Sequence, residues 1–552
     1  MKYVFAKAGM LLTIALIILN YSSAWAQDTV KEIDKIFSWT SEKAPGCVCA
    51  VSQHGKLIMN RAYGSADLER NVPLSVNSVF DAGSLTKQFV AAATLLLVEE
   101  GKLSLTADIH QYIPELPDYG SAITLDHLLT HTSGIRDWTG MTPISAENPD
   151  ALKLVLRQRG LNFAPGDEWD YSNSGYVLLK EIIARKTGGS FAAFANARLF
   201  EKLGMKSTRY KDDLRDIIPD RALAYEKKNN NWKMMILLDN DRGGGGALLS
   251  TASDLLVWND AITAARLGKF VTEKLQEPAT LSNGRVLGYG RGLFLETYRG
   301  TKEIWHSGSA AGYKSWLGHY PEKGLSISIL CNSGDGTNRM QFAHRIVDLL
   351  VPAADLKEES IKVPGEITDS AALAALDLKS RAGLYFNDKT GEPMRLVTDG
   401  NKLRIANGPA LAALSNKRFR RVGALVQYMS QDEFELNFVS NDIIEMKSME
   451  GLITTYHRAR SYAPSADELR AMQGQYASDE IGTVFNVTPG DGALMVQLEH
   501  APDKNLLFKP VDTNAFQGGM MIIRILRNEK GEVTGFEYGN PVLRWVKFRK
   551  LM

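Results

Sequence analysis

The stretch GSLTKQFVAAATLLLVEEG, residues 83–101, joins a candidate nucleophile to the start of an apolar helix. Residues 88–100 have helical spacing, and Gly101 is a typical residue at which a helix ends. Ser84 and Lys87 stand three positions apart at the amino end of this helix, which puts their side chains on one face. A serine hydroxyl is a poor nucleophile until a base removes its proton, and the positive end of the helix dipole favours an uncharged lysine. We therefore predict that Ser84 is a nucleophile and that Lys87 is its general base.

Two further short motifs follow along the chain. Tyr171-Ser172-Asn173 lies in GDEWDYSNSGYVLL, between a Pro-Gly turn and a helix-like segment, which indicates a loop. His306-Ser307-Gly308 lies in EIWHSGSAAGY and is bounded by strand-like residues. A Ser-x-x-Lys pair alone recurs by chance in a long chain, whereas the three motifs in this order and spacing form a specific combination.

With these motifs the chain resembles the serine β-lactamase and D,D-peptidase superfamily. It is most similar to the class C branch, which includes D,D-carboxypeptidases, D-aminopeptidases and carboxylesterases. Scaffold segments strengthen the resemblance over nearly all of residues 28–350: LDHLLTHTSGI at 125–135, FAAFANARLFEKLGM at 191–205, GGGGALLSTASDLL at 243–256 and HSGSAAGYKS at 306–315. The resemblance implies a hydrolase that works through an acyl-enzyme without metal or cofactor.

The resemblance also assigns catalytic roles to residues of the first two motifs. Ser84 attacks the substrate carbonyl and becomes acylated. Lys87 shares protons with Tyr171, whose phenol returns a proton to the leaving group. Asn173 holds the substrate's amide and helps to orient Lys87.

The third motif supplies the substrate-binding strand, His306, Ser307, Gly308 and Ser309. The backbone N–H groups of Ser84 and Ser309 are expected to form an oxyanion hole for the tetrahedral intermediate. Because Gly308 lacks a Cβ, we expect it to let the strand backbone approach the substrate closely.

His306 departs from the β-lactamase pattern, since class C β-lactamases generally carry lysine there. Lysine is a fixed cation for a substrate carboxylate, whereas histidine is mostly neutral above about pH 6.5 and is expected to be largely protonated near pH 5.5. The change favours a peptidase or an esterase over a β-lactamase.

Other motifs that could carry chemistry have structural interpretations. The resemblance makes His131, in HLLTHTSG, part of the scaffold rather than a member of a catalytic triad. The glycines at 243–246 are not followed by Lys-Ser/Thr, so they do not form a phosphate-binding loop. The sequence has no HExxH or clustered Cys/His pattern, which argues against a zinc hydrolase.

The first 26 residues have the features of a signal peptide. Lys2 and Lys7 precede an apolar run from Leu11 to Leu19, and Ala24-Trp25-Ala26 matches a signal peptidase site. An uncleaved membrane anchor is the alternative, but the apolar run is shorter than the roughly 20 residues that span a bilayer. We therefore predict export to the periplasm or the extracellular space, without stable membrane insertion after cleavage.

The composition is that of an ordinary globular protein. The chain has 552 residues, 44% of them hydrophobic, and a net charge of +1. This length predicts more than one domain, and the balanced charge gives no reason to expect a nucleic-acid partner.

Three cysteines occur in a chain that is expected to meet an oxidising compartment. Cys47 and Cys49 stand two apart in a probable strand, so they face the same side and do not easily bridge each other. A bond from either one to Cys331 and a set of three buried thiols both remain open.

The chain divides into segments of different character. Residues 27–350 mix helices and strands, residues 351–377 form a Pro-, Ala- and Glu-containing linker, and residues 378–461 and 462–552 read as two short-strand domains. We predict an α+β fold, in which a three-layer β-lactamase/transpeptidase-like domain precedes two small antiparallel β-barrel-like domains. Cutting near Pro364 is expected to leave a folded domain that still acylates.

An internal repeat supports the two C-terminal domains. Gly383-Leu384-Tyr385 recurs as Gly474-Gln475-Tyr476, and the same offset aligns Leu452 with Leu543 and other apolar positions through to the end of each copy. Both copies alternate apolar and polar residues between turn signals. They hold few candidate catalytic residues, so we predict a structural or gating role.

The predicted function is hydrolysis of D-amino-acid peptides, or of related amides and esters, by an exported enzyme of the D,D-carboxypeptidase or D-aminopeptidase type. β-Lactams are expected to acylate it. The alternatives are a carboxylesterase with weak β-lactamase activity, a slow-turnover penicillin-binding protein, and a catalytically silent scaffold.

Overall fold

The structure is a computed structural model. It describes residues 28–146, 150–213, 216–235, 247–356, 365–388, 390–406, 408, 410–421, 434–448 and 453–551. The predicted signal peptide and the glycines at 243–246 lie outside these ranges.

The α-helices alternate with strands in the first two thirds of the chain and are few thereafter. They are α1 (28–36), α2 (Thr86–Glu99), α3 (Leu125–Leu129), α4 (Ala151–Arg157), α5 (Asn173–Thr187), α6 (Phe191–Ala195), α7 (Glu201–Leu203), α8 (Ala252–Thr263), α9 (Lys269–Leu275), α10 (Arg339–Leu350), α11 (Ser370–Ala374), α12 (Leu378–Arg381) and α13 (Ala466–Ala471).

The strands of the first part of the chain are β1 (Cys47–Gln53), β2 (Lys56–Tyr63), β3 (Ser65–Asp67), β4 (Val72–Pro73), β5 (Phe80–Asp81), β6 (Arg209–Lys211), β7 (Tyr225–Lys228), β8 (Asn231–Met234), β9 (Ala247–Ser250), β10 (Phe294–Tyr298), β11 (Thr301–Ala310), β12 (Tyr313–Tyr320) and β13 (Leu325–Cys331).

The strands of the C-terminal part are β14 (Gly383–Asn387), β15 (Pro393–Asp399), β16 (Lys402–Ile405), β17 (Ala412–Ala413), β18 (Arg418–Arg421), β19 (Phe434–Phe438), β20 (Ile443–Ser448), β21 (Ile453–Arg458), β22 (Gly474–Ser478), β23 (Thr483–Pro489), β24 (Leu494–Leu498), β25 (Ala501–Asp512), β26 (Ala515–Gly518), β27 (Met521–Arg527), β28 (Val533–Asn540) and β29 (Leu543–Lys550).

A six-stranded antiparallel sheet, ordered β10-β11-β12-β13-β1-β2, forms the middle layer of the first domain. Successive residues of a strand face opposite sides, and β1 is buried on both. Its cysteines and Val51 pack against α1 and α10, whereas Val48 and Ala50 pack against α2 and α8. The predicted three-layer α+β architecture is thereby confirmed.

Most predicted elements are present with small shifts at their ends. The helix expected over 88–100 is α2, which begins two residues earlier and is followed by Gly101 at φ +71°. Residues 191–203 are helical and contain a π turn, Asn196–Phe200, between α6 and α7. Helix α10, Arg339–Leu350, is the last helix of the first domain.

Thr251 caps the start of α8, but only one half of a capping box is formed. Thr251 Oγ1 accepts a hydrogen bond from the Asp254 backbone at 3.3 Å. The Asp254 carboxylate turns instead to the backbone N–H of Ser207 and to the hydroxyl of Thr208, at 2.7 and 2.9 Å. The Asp254 carboxylate therefore binds residues distant in the sequence instead of the backbone N–H of Thr251, which it would bind in a complete capping box.

One disulfide closes the first domain. Cys47 and Cys331 face each other on neighbouring strands β1 and β13 and are bonded, while Cys49 is a buried free thiol. The bond joins positions 284 residues apart, near the two ends of the domain. Of the alternatives left open by the sequence, the structure selects the Cys47–Cys331 bond.

Each C-terminal repeat forms eight antiparallel strands. Strands β14 to β21 form an open sheet, and β22 to β29 form a closed barrel. Tyr385 and Tyr476 are equivalent, since each donates its buried hydroxyl to the carbonyl four residues earlier, Arg381 and Met472 respectively. The paired architecture predicted from the repeat is confirmed, although Leu452 lies outside the described residues.

The second barrel is packed onto the first domain. Met141, Ile144 and Leu154 belong to the same apolar cluster as the barrel's interior residues. This contact surface leads directly to the site described below. None of the described helices combines the length and apolar character needed to cross a bilayer.

Candidate active site

Ser84 lies in a short 3-10 turn, Gly83–Leu85, directly before α2. Gly83 has φ +55°, and a Cβ at this position would lie 2.7 Å from the backbone nitrogen of Ser309. Only glycine therefore lets this turn pass so close to β11. The close approach brings the backbone of the turn beside Ser309, as the predicted oxyanion hole requires.

Lys87 occupies the centre of the site. Its Nζ lies 3.3 Å from Ser84 Oγ and 2.8 Å from Asn173 Oδ1. It also stands 4.6 Å from the centroid of the Tyr171 ring. Burial lowers the pKa of Lys87 to about 7, against an opposing effect of Asp137. A substantial fraction of this amine is therefore uncharged near neutral pH and can accept the Ser84 proton.

Asn173 begins α5 and is held in place by Asp137. Both its backbone nitrogen and its Nδ2 donate to Asp137 Oδ2, at 2.8 and 2.9 Å. Because the carboxylate fixes the amide nitrogen, the amide oxygen is left to face Lys87. Asp137 therefore orients the amide whose oxygen accepts the shorter of the two hydrogen bonds from the Lys87 amine, at 2.8 Å.

Sequence reasoning missed Asp137. It is buried and also caps the following 3-10 turn by accepting from Thr139 N and Oγ1, both at 2.9 Å. In the sequence it resembles an ordinary turn aspartate after HTSGIR, and no local pattern distinguishes it. Only the fold, which places it against the start of α5, gives it a role beside the site.

Tyr171 is packed among aromatic rings on the loop before α5. Its ring centroid lies 4.4 Å from that of His131 and 6.1 Å from that of His306. His131 Nδ1 accepts from the Ser172 backbone at 3.1 Å, and its Nε2 faces the Tyr289 hydroxyl at 3.2 Å. Burial and the Lys87 charge hold the pKa of His131 well below its usual range. These contacts place His131 as a neutral support for the tyrosine loop.

His306 is buried rather than exposed to the cleft. Its Nδ1 donates to the Ser307 carbonyl at 2.6 Å, and its Nε2 lies 3.5 Å from the Tyr289 hydroxyl. Burial, with a further effect of Lys87, lowers the pKa of His306 to about 3. At its ordinary pKa of about 6.5 the imidazole would be largely protonated near pH 5.5. With the pKa lowered by burial, the ring is neutral at this pH and above.

The other third-motif residues divide between the two faces of β11. Ser307 pairs with Trp316, a residue of the α1 and α10 side, while His306 faces the α2 side. A Cβ on Gly308 would lie 2.1 Å from the Ala82 carbonyl oxygen. The missing side chain of Gly308 thus makes room for the chain just before Ser84.

The arrangement suits nucleophilic catalysis by a serine. The hydroxyl, a buried amine of lowered pKa and a phenol ring meet within one cluster, and the backbone of Ser309 lies close to the turn that carries Ser84. Among the described residues no group of three or more His, Cys, Asp or Glu side chains could hold a metal ion. The cluster can perform acyl transfer with its own side chains.

Comparison with known proteins gives a consistent result. The family model described as Beta-lactamase matches residues 26–351. A D-aminopeptidase of Brucella anthropi is 23% identical, and the alignment covers 92% of this chain and 96% of that protein. Penicillin-binding protein 4* of Bacillus subtilis is 29% identical over 57% of this chain and 74% of its own.

A solved structure shares the fold. The octameric penicillin-binding protein homologue from Pyrococcus abyssi aligns with a TM-score of 0.51 at 22% identity, covering 87% of this chain and 99% of its own. The alignment with the D-aminopeptidase extends through most of the C-terminal region, where the open sheet and the closed barrel lie.

Proposed function

Because the chain belongs to the Beta-lactamase family, we propose that it is an exported serine hydrolase that cleaves D-amino-acid peptides, or related amides and esters, through an acyl-enzyme. One observation carries the mechanism. Lys87 Nζ lies between Ser84 Oγ and Asn173 Oδ1, at 3.3 and 2.8 Å, in a buried position that lowers its pKa to about 7.

Acylation begins when Ser84 Oγ attacks the substrate carbonyl carbon and its proton passes to Lys87. The carbonyl oxygen becomes an oxyanion and accepts hydrogen bonds from the backbone N–H groups of Ser84 and Ser309. When the intermediate collapses, the bond to the leaving nitrogen or oxygen breaks. The proton taken by Lys87 returns through Tyr171 to that leaving atom.

Deacylation repeats the sequence with water in place of the serine. Lys87, again uncharged, takes a proton from the water as its oxygen attacks the ester carbonyl. When the second intermediate collapses, the bond from the carbonyl carbon to Ser84 Oγ breaks and the acid is released. Lys87 returns the proton taken from water to Ser84 Oγ, which restores the hydroxyl and the uncharged amine.

The preference for D-amino-acid peptides rests on the relatives. The Brucella anthropi protein that aligns with nearly the whole chain, barrels included, is a D-aminopeptidase, and the Bacillus subtilis relative is a penicillin-binding protein. The first name supports D-amino-acid peptides as substrates of this chain, and the second supports β-lactams as ligands.

Export is supported by two independent features. The first 26 residues have the pattern of a cleaved signal peptide. The Cys47–Cys331 bond is of a kind that persists in oxidising compartments and is rare in the cytosol.

A substrate panel with burst kinetics tests the proposal. A D-alanyl anilide, its L-alanyl counterpart, a p-nitrophenyl ester and a chromogenic cephalosporin are compared on the purified protein. The proposal expects the highest kcat/KM for the D-alanyl substrate and none for its L counterpart. A higher value for the ester, with no difference between the D and L amides, would identify an esterase instead.

A further inference from the structure

Tyr289 connects two buried histidines that belong to different segments of the site. Its hydroxyl oxygen lies 3.2 Å from His131 Nε2 and 3.5 Å from His306 Nε2. Each of the three side chains is 1% exposed. His131 follows α3, whereas His306 lies on β11, the strand that carries Ser309. Because buried polar groups need hydrogen-bond partners, the outer contacts of the two histidines fix the direction of the inner ones.

His131 donates its proton to Tyr289. The backbone N–H of Ser172 donates to His131 Nδ1 at 3.1 Å, so this nitrogen carries no proton. Burial, with the Lys87 charge as a further cause, holds the pKa of His131 well below its usual range, so the ring is neutral. A neutral imidazole has one N–H group, which must then be on Nε2 and point at the Tyr289 oxygen.

His306 has the opposite tautomer. Its Nδ1 lies 2.6 Å from the Ser307 carbonyl oxygen, which can only accept, so the proton is on Nδ1. Burial lowers the pKa of His306 to about 3, so the ring is neutral and its Nε2 accepts a hydrogen bond. The donor is the Tyr289 hydroxyl, because the neighbouring Tyr176 hydroxyl gives its proton to the Leu129 carbonyl at 2.8 Å.

His131, Tyr289 and His306 thus form a His-Tyr-His bridge in which every hydrogen bond runs in the same direction. The bridge starts at the Ser172 N–H, on the loop before α5, and ends at the Ser307 carbonyl on β11. Burial raises the pKa of Tyr289 well above its usual range, so the phenol keeps its proton. The bridge is therefore neutral throughout, and it links the two segments without adding a charge to the site.

The segment that carries Tyr289 is fixed against both α2 and α3. Arg291 donates from Nε and Nη2 to the two carboxylate oxygens of Asp126 in α3, at 2.6 and 2.9 Å. Gly292 has φ +76°, and a Cβ at this position would lie 2.7 Å from the Lys87 carbonyl oxygen in α2. These contacts hold Tyr289 at a defined place between the two histidines.

We propose that Tyr289 is a positioning residue for the acylation reaction. Through the His-Tyr-His bridge it holds the loop of Tyr171 and Ser172 in register with strand β11. The phenol that returns the proton and the Ser309 N–H that binds the oxyanion lie on the two segments that the bridge joins. The inference rests on the proposed function, because these two groups act together only in acyl transfer.

Two substitutions interrupt the bridge at different points. Tyr289→Phe removes the hydroxyl and leaves both histidine Nε2 atoms without this partner. His131→Asn suits the left-handed backbone of this position, φ +60°, and keeps an acceptor for the Ser172 N–H, but asparagine is too short to reach Tyr289. Each variant should lower kcat for a D-alanyl anilide by about tenfold with little change in KM, because the bridge supports the reacting groups rather than the substrate.

The double variant distinguishes one bridge from two separate supports. Since either substitution interrupts the same bridge, the protein with both should also lose about tenfold, rather than the roughly hundredfold expected of independent residues. Tyr298→Phe is the matched control. Its hydroxyl donates to Asp348 of α10 at 3.0 Å, away from the bridge, and kcat should stay unchanged.

Nitrogen NMR of the full protein with isotope-labelled histidine tests the bridge without a substrate. The proton should be on Nε2 of His131 and on Nδ1 of His306, and Tyr289→Phe should shift the Nε2 signals of both rings. The opposite tautomer in either ring, unshifted signals, losses that multiply in the double variant, or an unchanged kcat of the Tyr289→Phe protein overturns the inference. If the unaltered protein does not cleave the anilide but the spectra are as expected, the bridge stands and the proposed reaction fails.

Discussion

Lys87 is the residue on which the proposed chemistry depends. Burial lowers its pKa to about 7, and a general base works only in its uncharged form. The kcat/KM for a neutral ester should therefore rise with pH and level off above an apparent pKa near 7. Lys87→Arg, which stays charged, should lose about a thousandfold or more at every pH. A pH-independent rate in the unaltered protein would contradict the assignment.

Asp137 acts on Lys87 through Asn173. Asp137→Asn removes a charge that raises the Lys87 pKa and replaces an acceptor of two Asn173 hydrogen bonds with an amide. We expect kcat/KM to fall by about ten- to a hundredfold, because hydrogen bonds to charged groups contribute about 1.5–3 kcal/mol.

The pH profile separates this positioning role from a merely structural one. Loss of the Asp137 charge should shift the apparent pKa of the rate downward, away from about 7. Asp118→Asn, on an exposed turn, is the control and should change neither the rate nor the profile. A reduced rate with an unshifted profile would show that Asp137 supports the fold only.

His306 should contribute no pH dependence of its own in the physiological range. Its pKa is about 3 and the ring is already neutral near pH 5.5. The ratio of kcat/KM between His306→Gln and the unaltered protein should therefore be equal near pH 5.5 and near pH 8. The measurement is made with a carboxylate-bearing substrate, and a ratio that changes through pH 6 would restore the sequence-based expectation.

At the scale of elements, the disulfide ties together the sheet that carries the site. Reduction of Cys47–Cys331 should lower the free energy of unfolding by about 2–4 kcal/mol, because the bond constrains a long loop of the unfolded chain. Denaturant unfolding with and without reductant measures the effect. Cys49→Ala should show the same reductant-dependent loss, whereas a Cys47→Ala/Cys331→Ala variant should show none.

The elements near the nucleophile follow from local sequence signals. The apolar run after Lys87, the turn glycine at 101 and the His54-Gly55 turn between β1 and β2 specify their elements through short-range physics. The sequence motifs predict Ser84, Lys87 and Asn173 as site residues, and the fold brings these three side chains into contact. Asp137 was missed because its partner, Asn173, is 36 residues away and is brought to it by the fold rather than by a recognisable spacing.

At the scale of the whole molecule, the second barrel is coupled to the site. Arg136, the residue before Asp137, forms an ion pair with Glu480 of the barrel at 2.8 Å, and the side chains are only 7% and 13% exposed. Glu480 also accepts from the Arg159 backbone at 2.6 Å, and Ser145 Oγ donates to the Ile481 carbonyl at 2.9 Å. The barrel thus contacts the residue next to Asp137, and Asp137 holds Asn173 through two hydrogen bonds.

Removal of the barrels should therefore disable the enzyme. A fragment ending near residue 364 would expose Met141, Ile144 and Leu154, which pack with the barrel interior, and would leave Arg136 without its ion-pair partner. We expect this fragment to unfold at lower temperature and to lose acylation, contrary to the sequence-based expectation of an autonomous domain. Labelling by a fluorescent penicillin measures it, and a stable, fully reactive fragment would refute the coupling.

A single substitution tests the coupling between the barrel and the site with less disturbance of the fold. Glu480→Gln keeps the shape but removes the charge that faces Arg136, and should cost about 2 kcal/mol of folding free energy, less than for a fully buried pair. It should also lower kcat while KM changes little, because Arg136 adjoins Asp137, which positions Asn173. Glu529→Gln, on a surface turn of the same barrel, is the matched control.

The central claim is that Ser84, activated by Lys87, forms the acyl-enzyme. Incubation with benzylpenicillin, followed by intact-mass measurement and peptide mapping, tests it most directly. The account predicts one penicilloyl group on the peptide that contains Ser84, present in a surface control such as Ser415→Ala and absent from a Ser84→Ala protein of nearly unchanged melting temperature. An adduct on another residue, or undiminished labelling of the Ser84→Ala protein, would contradict it.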